Sequence, residues 1–234
     1  MSAPEPKSEF DRYAADYDSA LGQGISVSGE DKEFFARGRL IILERILREQ
    51  QFPVRTALDF GCGTGQAAPL LQEILGAEKV LGVDISEGLL GVAQREHSGA
   101  GIEFRVLKNH APSGDFDLAF CNGVFHHIPL AERASAVAHV FRSLKPGGLF
   151  ALWENNPWNP GTQYVMSRIP FDRDAIKLSP PVARRLLREG GFEILRTDSA
   201  FYFPRALGFL RGIEPLLAKI PLGAQYQVLA RKPA

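Results

Sequence analysis

Three groups of residues in this chain are of types and spacings that do chemistry. The first is Leu58-Asp59-Phe60-Gly61-Cys62-Gly63-Thr64-Gly65-Gln66, with Asp84 closing the next apolar run, Val80-Leu81-Gly82-Val83. Glycine lets the backbone take positive φ and lets a ligand reach the main chain. A helix opening at such a loop points its free N–H groups at the same place. An acid at the tip of the second strand of a βαβ unit can accept both hydroxyls of a ribose. The unit is built to hold a nucleoside, with Asp84 on the ribose and Gly61, Gly63 and Gly65 admitting the ligand. It is not the dinucleotide pattern G-x-G-x-x-G, because Gln66 stands where the third glycine would be. Asp59, on the strand before the loop, would repel a pyrophosphate and suit a cationic or amino-bearing ligand.

The second group is the tandem His126-His127 within Asn122-Gly123-Val124-Phe125-His126-His127-Ile128-Pro129. Histidine titrates near neutral pH and can take a proton from a hydroxyl. Either residue could be a base, with His126 slightly favoured; the alternative is that one of them bonds the loop. The third is Glu154, a second candidate base or acceptor anchor. It precedes a segment rich in Pro, Asn and aromatics, Asn155–Leu178, which contains Trp158, Arg168, Phe171, Asp172 and Arg173. A connection of this length inside a compact domain is usually functional. It is read as part of an acceptor site.

The elements that must position these groups follow from periodicity. Short apolar runs predict strands at 55–60, 79–83, 102–107, 116–121, 148–154 and 193–200, with a last strand at 225–231. Helices are expected at 30–51, 66–75, 87–97, 131–144 and 180–189, the last with Ser179 as N-cap and Gly190-Gly191 as its stop. Phe10, Tyr13, Ala14 and Tyr17 fall on one helical face. Residues 1–9 read as a tail, 21–29 as a flexible loop, and 206–219 as helical. Strands alternating with helices mean an α/β fold: a doubly wound, mostly parallel sheet with helices on both faces. Ligands then bind at the carboxyl ends of the strands, where all three groups lie. The division expected is an N-terminal tail and helical lid over 1–53, and a cofactor-binding domain over 54–234 with the acceptor-site insertion at about 155–178.

At this point the chain resembles the class I S-adenosylmethionine-dependent methyltransferases. The resemblance rests on Leu58–Gln66, on the acidic block Val80–Ser86, on Phe116-Asp117-Leu118-Ala119-Phe120 running into Cys121–Ile128, and on Leu144-Lys145-Pro146-Gly147-Gly148. It implies a seven-stranded Rossmann-like sheet whose final strand is antiparallel and inserts beside the sixth. It implies S-adenosylmethionine as cofactor, held by Asp59, Gly61, Cys62, Gly63, Gly65, Asp84 and Ile85. Asn109 and His110 lie where the adenine is reached in this family, with Asn109 replacing the more usual Asp. Cys121 and Asn122 begin the loop that meets the methionine end. Tyr13 and Tyr17 belong to an aromatic segment that closes over the cofactor. The implied activity is methyl transfer to a small molecule, most readily at oxygen, in secondary-metabolite or envelope-glycoconjugate biosynthesis. N- or C-methylation, a non-catalytic cofactor-binding module and a NAD-type oxidoreductase are the alternatives.

Composition narrows the partners. The chain has 27 Lys and Arg and 27 Asp and Glu, so formal net charge is zero. With no basic stripe bearing interleaved aromatics, nucleic acid is not expected. Residues 160–234 hold 12 Lys and Arg against 6 Asp and Glu. That basic third, with the apolar run Phe201–Leu217, could be a solvated face and lid packing, or a surface for a greasy acceptor or peripheral membrane contact. The two cysteines, Cys62 and Cys121, have no disulfide or metal-site pattern and read as small packing residues. No metal is expected. No stretch approaches the ~20 apolar residues that span a bilayer, and no signal-peptide pattern opens the chain, so a cytoplasmic protein is expected. Oligomeric state is left open.

Overall fold

The core strands alternate the face to which they send side chains, and this fixes a three-layer molecule. In the computed structural model, residues 9–13, 16–173 and 175–234 are described. Strands β1 (Thr56–Phe60), β2 (Lys79–Asp84), β3 (Ile102–Val106), β4 (Phe116–Asn122), β5 (Leu144–Asn155), β6 (Glu193–Ala200) and β7 (Gln225–Arg231) form one sheet in the order β3-β2-β1-β4-β5-β7-β6. The first five are parallel to one another, and β7 runs antiparallel between β5 and β6. Ala57 and Leu118 face one side, Leu58 and Ala119 the other. Helices α2 (Lys32–Glu49), α3 (Ala67–Leu75) and α4 (Glu87–His97) cover the first side through Leu40, Leu43, Leu71 and Leu90. Helices α5 (Arg133–Ser143) and α7 (Pro180–Glu189) cover the second through Val137, Val140 and Leu187. Both faces are covered, so the strands read as continuous apolar runs.

Several local expectations are corrected. Residues 21–29 are not a loop: helix α1 (Tyr17–Ile25) runs into a 3₁₀ turn at Ser26–Ser28. The aromatic segment before it is a 3₁₀ turn, Glu9–Arg12, not part of one long helix. Ala14 and all of the tail except Glu9 lie outside the described residues. Segment 155–178 carries its own helix, α6 (Pro160–Arg168), capped by the Asn159 side chain accepting from the Thr162 N–H. Ser179 has N-cap backbone angles, but its side chain makes no capping bond. Residues 206–219 are mostly 3₁₀ (Arg205–Ile213), followed by a short α8 (Glu214–Leu217). No helix among the described residues is long and apolar enough to cross a membrane.

The end of the sheet away from the carboxyl tips is tied by Asp117. Its Oδ2 accepts from the N–H groups of Arg55 and Thr56, both at 2.9 Å, and from the Thr56 hydroxyl at 3.0 Å. Lys145 Nζ donates to its Oδ1 at 2.6 Å. Burial alone would raise the Asp117 pKa, but these donors hold the carboxyl below its ordinary value. Asp117→Ala should cost about 1–3 kcal/mol, because two strand-end N–H groups lose their acceptor. A depressed acid contributes stability above its unfolded pKa, and that contribution is lost as pH falls through the folded one. Urea unfolding should therefore show the deficit at neutral pH and show it shrinking below about pH 4.

Candidate active site

The glycine loop is held by the tip of β2 rather than left open. The N–H groups of Gly61 and Cys62 donate to the Val83 carbonyl at 2.8 and 3.0 Å. Asp84 accepts from the Gly63 N–H at 2.8 Å through Oδ2 and from the Ser86 N–H at 2.9 Å through Oδ1. The three glycines do different things. Gly63 has φ +54 and open space where a Cβ would stand. Gly65 has φ +81, but its Cβ would meet Ala93 and Phe104 at 2.8 Å, so its absence lets α4 and β3 close on the loop. A Cβ on Gly61 would meet Val124 at 2.4 Å. Of the three, Gly63 is the one that leaves room for a ligand.

Asp59 is buried beside this loop, with Oδ2 lacking any hydrogen-bond partner. Burial, reinforced by the nearby Asp84 charge, pushes its pKa up to about 7 against the pull of Arg39. Arg39 is itself buried on α2, donates to Gln225 Oε1 at 3.0 Å, and has its own pKa lowered by burial to about 10. Asp84 is also raised by burial, and the N–H groups of Ser86 and Gly63 restrain the rise.

The second half of the site is a buried chain of acids and histidines. Glu154 Oε1 accepts from the Phe125 N–H at 2.8 Å, and Oε2 meets His126 Nδ1 at 2.5 Å. His126 Nε2 lies 3.5 Å from Asp172 Oδ1, and His127 Nε2 lies 3.1 Å from the same oxygen. Burial would lower the His126 pKa, but Glu154 and Asp172 outweigh it and bring it to about 10. Both ring nitrogens of His126 thus face carboxylates, which favour its protonated form. Glu154 meets His126 and Phe125 and does not line the cavity, so its contact is with the ring and the loop. His127 is the partly exposed member. Asp172 reaches the pair because the return leg of the insertion is stitched to the histidine loop. The Ile176 N–H donates to the His126 carbonyl, and Arg133 donates to the carbonyls of Ile128 and Ile176.

Both halves open on one cavity of about 450 Å³, within the range for small-molecule sites. Asp59, Gly61, Cys62, Gly63, Asn122 and Tyr17 line it at one end, and His126, His127 and Asp172 line it too. Phe171 closes it against the N-terminal segment. It stacks on Tyr17 at 4.7 Å and touches Tyr13 and Phe10. Asp11 fixes that segment, accepting from the Ser86 hydroxyl at 2.6 Å and the Gly88 N–H at 3.0 Å.

Other expected residues lie elsewhere. His110 is buried against α5, with Nδ1 2.8 Å from His139 Nε2, and Asn109 is exposed on a 3₁₀ turn. Neither lines the cavity, nor do Gly65, Asp84, Ile85, Cys121 and Tyr13. Cys121 is core, as is Trp153, whereas Trp158 is exposed.

Comparison with known proteins fits this geometry. Residues 57–148 match the family model described as a methyltransferase domain. The ubiquinone biosynthesis O-methyltransferase of Methylococcus capsulatus is 32% identical over 196 residues, covering 77% of this chain and 78% of that protein. The chain belongs to the class I S-adenosylmethionine-dependent methyltransferases. A trans-aconitate 2-methyltransferase of Methylobacterium nodulans is 31% identical over 55% of this chain, which spans only 46% of that protein's length. Human N-acetylserotonin methyltransferase, solved with S-adenosylmethionine, shares the fold. Its TM-score is 0.66 and its identity 17%, covering 98% of this chain and 60% of that one. The methyltransferase is thus an enzyme by family, with the sheet order that the sequence blocks imply.

Sequence reasoning missed Arg39 and Asp172 as site residues. Arg39 could have been found: it sits on the apolar stripe of α2 with Ala36, Leu40 and Leu43, where a cation is out of place. Asp172 carries no local signal beyond its place in the insertion.

The Asp59 shift has a measurable consequence. An acid whose folded pKa is raised binds a proton more tightly folded than unfolded, so stability falls as pH rises between the two values. Asp59→Asn should therefore gain stability relative to wild type as pH goes from about 4 to about 7, with no further gain above. Urea midpoints across that range check it.

Proposed function

We propose that this methyltransferase transfers the methyl group of S-adenosylmethionine to a hydroxyl oxygen of a small molecule bound between the glycine loop and the histidine cluster. The observation that carries the reading is that a buried, acid-oriented histidine pair and an unpaired buried carboxylate oxygen open on the same cavity. The residues fit the cofactor. Asp59 Oδ2 is an orphaned acceptor suited to an ammonium group. Gly63 leaves a Cβ-sized space, and Asp84, just behind the cavity lining, accepts from the Gly63 N–H and has lone pairs left for ribose hydroxyls. Bound there, the cofactor supplies a methyl group already activated by a positive sulfur.

The chain's own residues supply orientation and the path for the proton. Phe171, Tyr17 and Tyr13 exclude water over the cavity. Orientation of an acceptor beside its reaction partner can be worth about 7–11 kcal/mol. A hydroxyl must lose its proton, and a base is worth about 10²–10⁴-fold. His127 is the acceptor of that proton: it faces the cavity, and Asp172 stabilises the imidazolium that forms. Glu154 and His126 hold Asp172 and the loop in place. Support for an oxygen acceptor comes also from the Methylococcus relative, named as an O-methyltransferase. The exposed Phe209 and Leu216 lie on the stretch whose start, Phe201-Tyr202-Phe203, lines the cavity. An apolar acceptor approaching along that stretch fits this continuity.

Two variants separate the halves. Asp84→Ala should weaken S-adenosylhomocysteine binding by about 1.5–3 kcal/mol, the range for hydrogen bonds to a charged group. Calorimetry reads this directly, and unchanged affinity would remove Asp84 from the ribose. His127→Ala should lower turnover of a hydroxylated acceptor by about 10²–10⁴-fold while cofactor affinity holds. A loss of cofactor binding in His127→Ala would instead make the residue structural.

A further inference from the structure

His126 Nε2 is buried and has no hydrogen-bond partner, while its Nδ1 is committed to Glu154. It points to the same place as two other donors. His126, His127 and Asp172 each bring one ligand atom into a group whose members lie within 4.8 Å of one another. Asp172 Oδ1 is 3.5 Å from His126 Nε2 and 3.1 Å from His127 Nε2. Donors at about 2.1 Å from a shared ion stand about 3.0 Å apart in an octahedral shell and about 3.4 Å apart in a tetrahedral one. The two distances to Asp172 are close to those of ligands around one ion, and the two ring nitrogens lie within 4.8 Å of each other.

We propose that His126 Nε2, His127 Nε2 and the Asp172 carboxylate bind a divalent transition-metal ion whose open positions face the acceptor end of the cavity. The inference rests on the reading of this cluster as the place where the acceptor oxygen is held. Two imidazoles and one carboxylate suit zinc or ferrous ions best, manganese less, and magnesium or calcium, which prefer oxygen ligands, least. Glu154 is the outer partner that metal-ligating histidines ordinarily have: it takes the Nδ1–H, fixes the tautomer and leaves Nε2 for the ion.

Charge favours the same assignment. With neutral imidazoles, Glu154 and Asp172 place two negative charges in a buried site. Their ion pairs among the described residues are with these histidines, and the buried Arg133, bonded to the carbonyls of Ile128 and Ile176, adds a positive field at Glu154. The cations around the cavity are engaged elsewhere: Lys32 with Asp18, Arg211 with Glu30, and Arg39 with Gln225. A divalent ion neutralises the pair in place, displacing the proton that His126 otherwise holds. Three protein ligands leave room for an acceptor oxygen in the shell, which would lower the pKa of its hydroxyl. The proton then leaves to solvent, and His127 serves as ligand instead of base.

The test uses untagged full-length protein stripped with EDTA, reloaded with Zn²⁺, Mn²⁺ or Mg²⁺, desalted and assayed for bound metal. Wild type should retain a single zinc or manganese ion per chain and no magnesium. Asp172→Asn and His127→Ala should lose the ion, and Glu154→Gln should weaken it by about 10–100-fold. S-adenosylhomocysteine affinity should be unchanged in all three variants, which shows that they are folded. Cobalt-loaded wild type should show the visible absorption of a low-symmetry nitrogen and oxygen site, and Asp172→Asn should not. Wild type that retains no stoichiometric ion, or Asp172→Asn that retains as much as wild type, overturns the proposal. Ion-free enzyme that methylates a hydroxyl at full rate, while His127→Ala does not, overturns the ion and leaves the acceptor reading intact. Retention of the ion by wild type but not by Asp172→Asn, with no hydroxylated acceptor turned over, supports the ion site and removes that reading.

Discussion

Buried negative charge at the carboxyl ends of the strands is the constraint around which this protein is built. Asp59, Asp84, Glu154 and Asp172 are all buried there. Isolated buried carboxylates are too costly to keep ionised without partners. Each is answered differently. Asp84 is answered by main-chain N–H groups of the loop it organises, and Glu154 and Asp172 by histidines. Asp59 is answered incompletely, by Arg39 nearby, and one of its oxygens has no partner. In the function proposed above, that oxygen is the one offered to the cofactor's ammonium group.

That constraint explains why local geometry is so tightly specified. The loop is pinned to β2 because Asp84 must keep its donors. The insertion at 155–178 folds back on the histidine loop because Asp172 needs the two rings. Its own start is anchored by polar bonds: Asn156 donates to the carbonyls of Pro221 and Gly223, Asn159 to that of Leu222, and Thr162 to that of Ala224. The asparagines of this segment thus serve as connectors. The aromatic contacts of Phe171 then bring the N-terminal segment over the cavity.

The fold was legible because its strands are short apolar runs bounded by glycine, and such runs have few alternative placements. The limits of β1, β2 and β6 shift by a residue at most from expectation. The histidine pair and Glu154 were legible as a chemical group, because strand order brings the tips of β4 and β5 together. Direction was not legible. His110 follows a strand tip and looked like an adenine contact, but the 3₁₀ turn at Leu107–Asn109 delivers it to His139. Gly65 looked like a ligand contact, but Phe104 and Ala93 use its missing Cβ. Asp172 is nearly fifty residues from the rings it joins, a distance that no local pattern spans.

We place the cofactor's ammonium group against Asp59, whose burial-raised pKa that positive charge would pull back down. Calorimetric titration of S-adenosylhomocysteine near pH 6.5, in two buffers of different ionisation enthalpy, measures the accompanying proton release directly. Wild type should release a proton fraction on binding that fades above about pH 8, and Asp59→Asn should release none. Binding without proton release in wild type, or equal release by Asp59→Asn, would contradict the placement of the cofactor's positive end at Asp59.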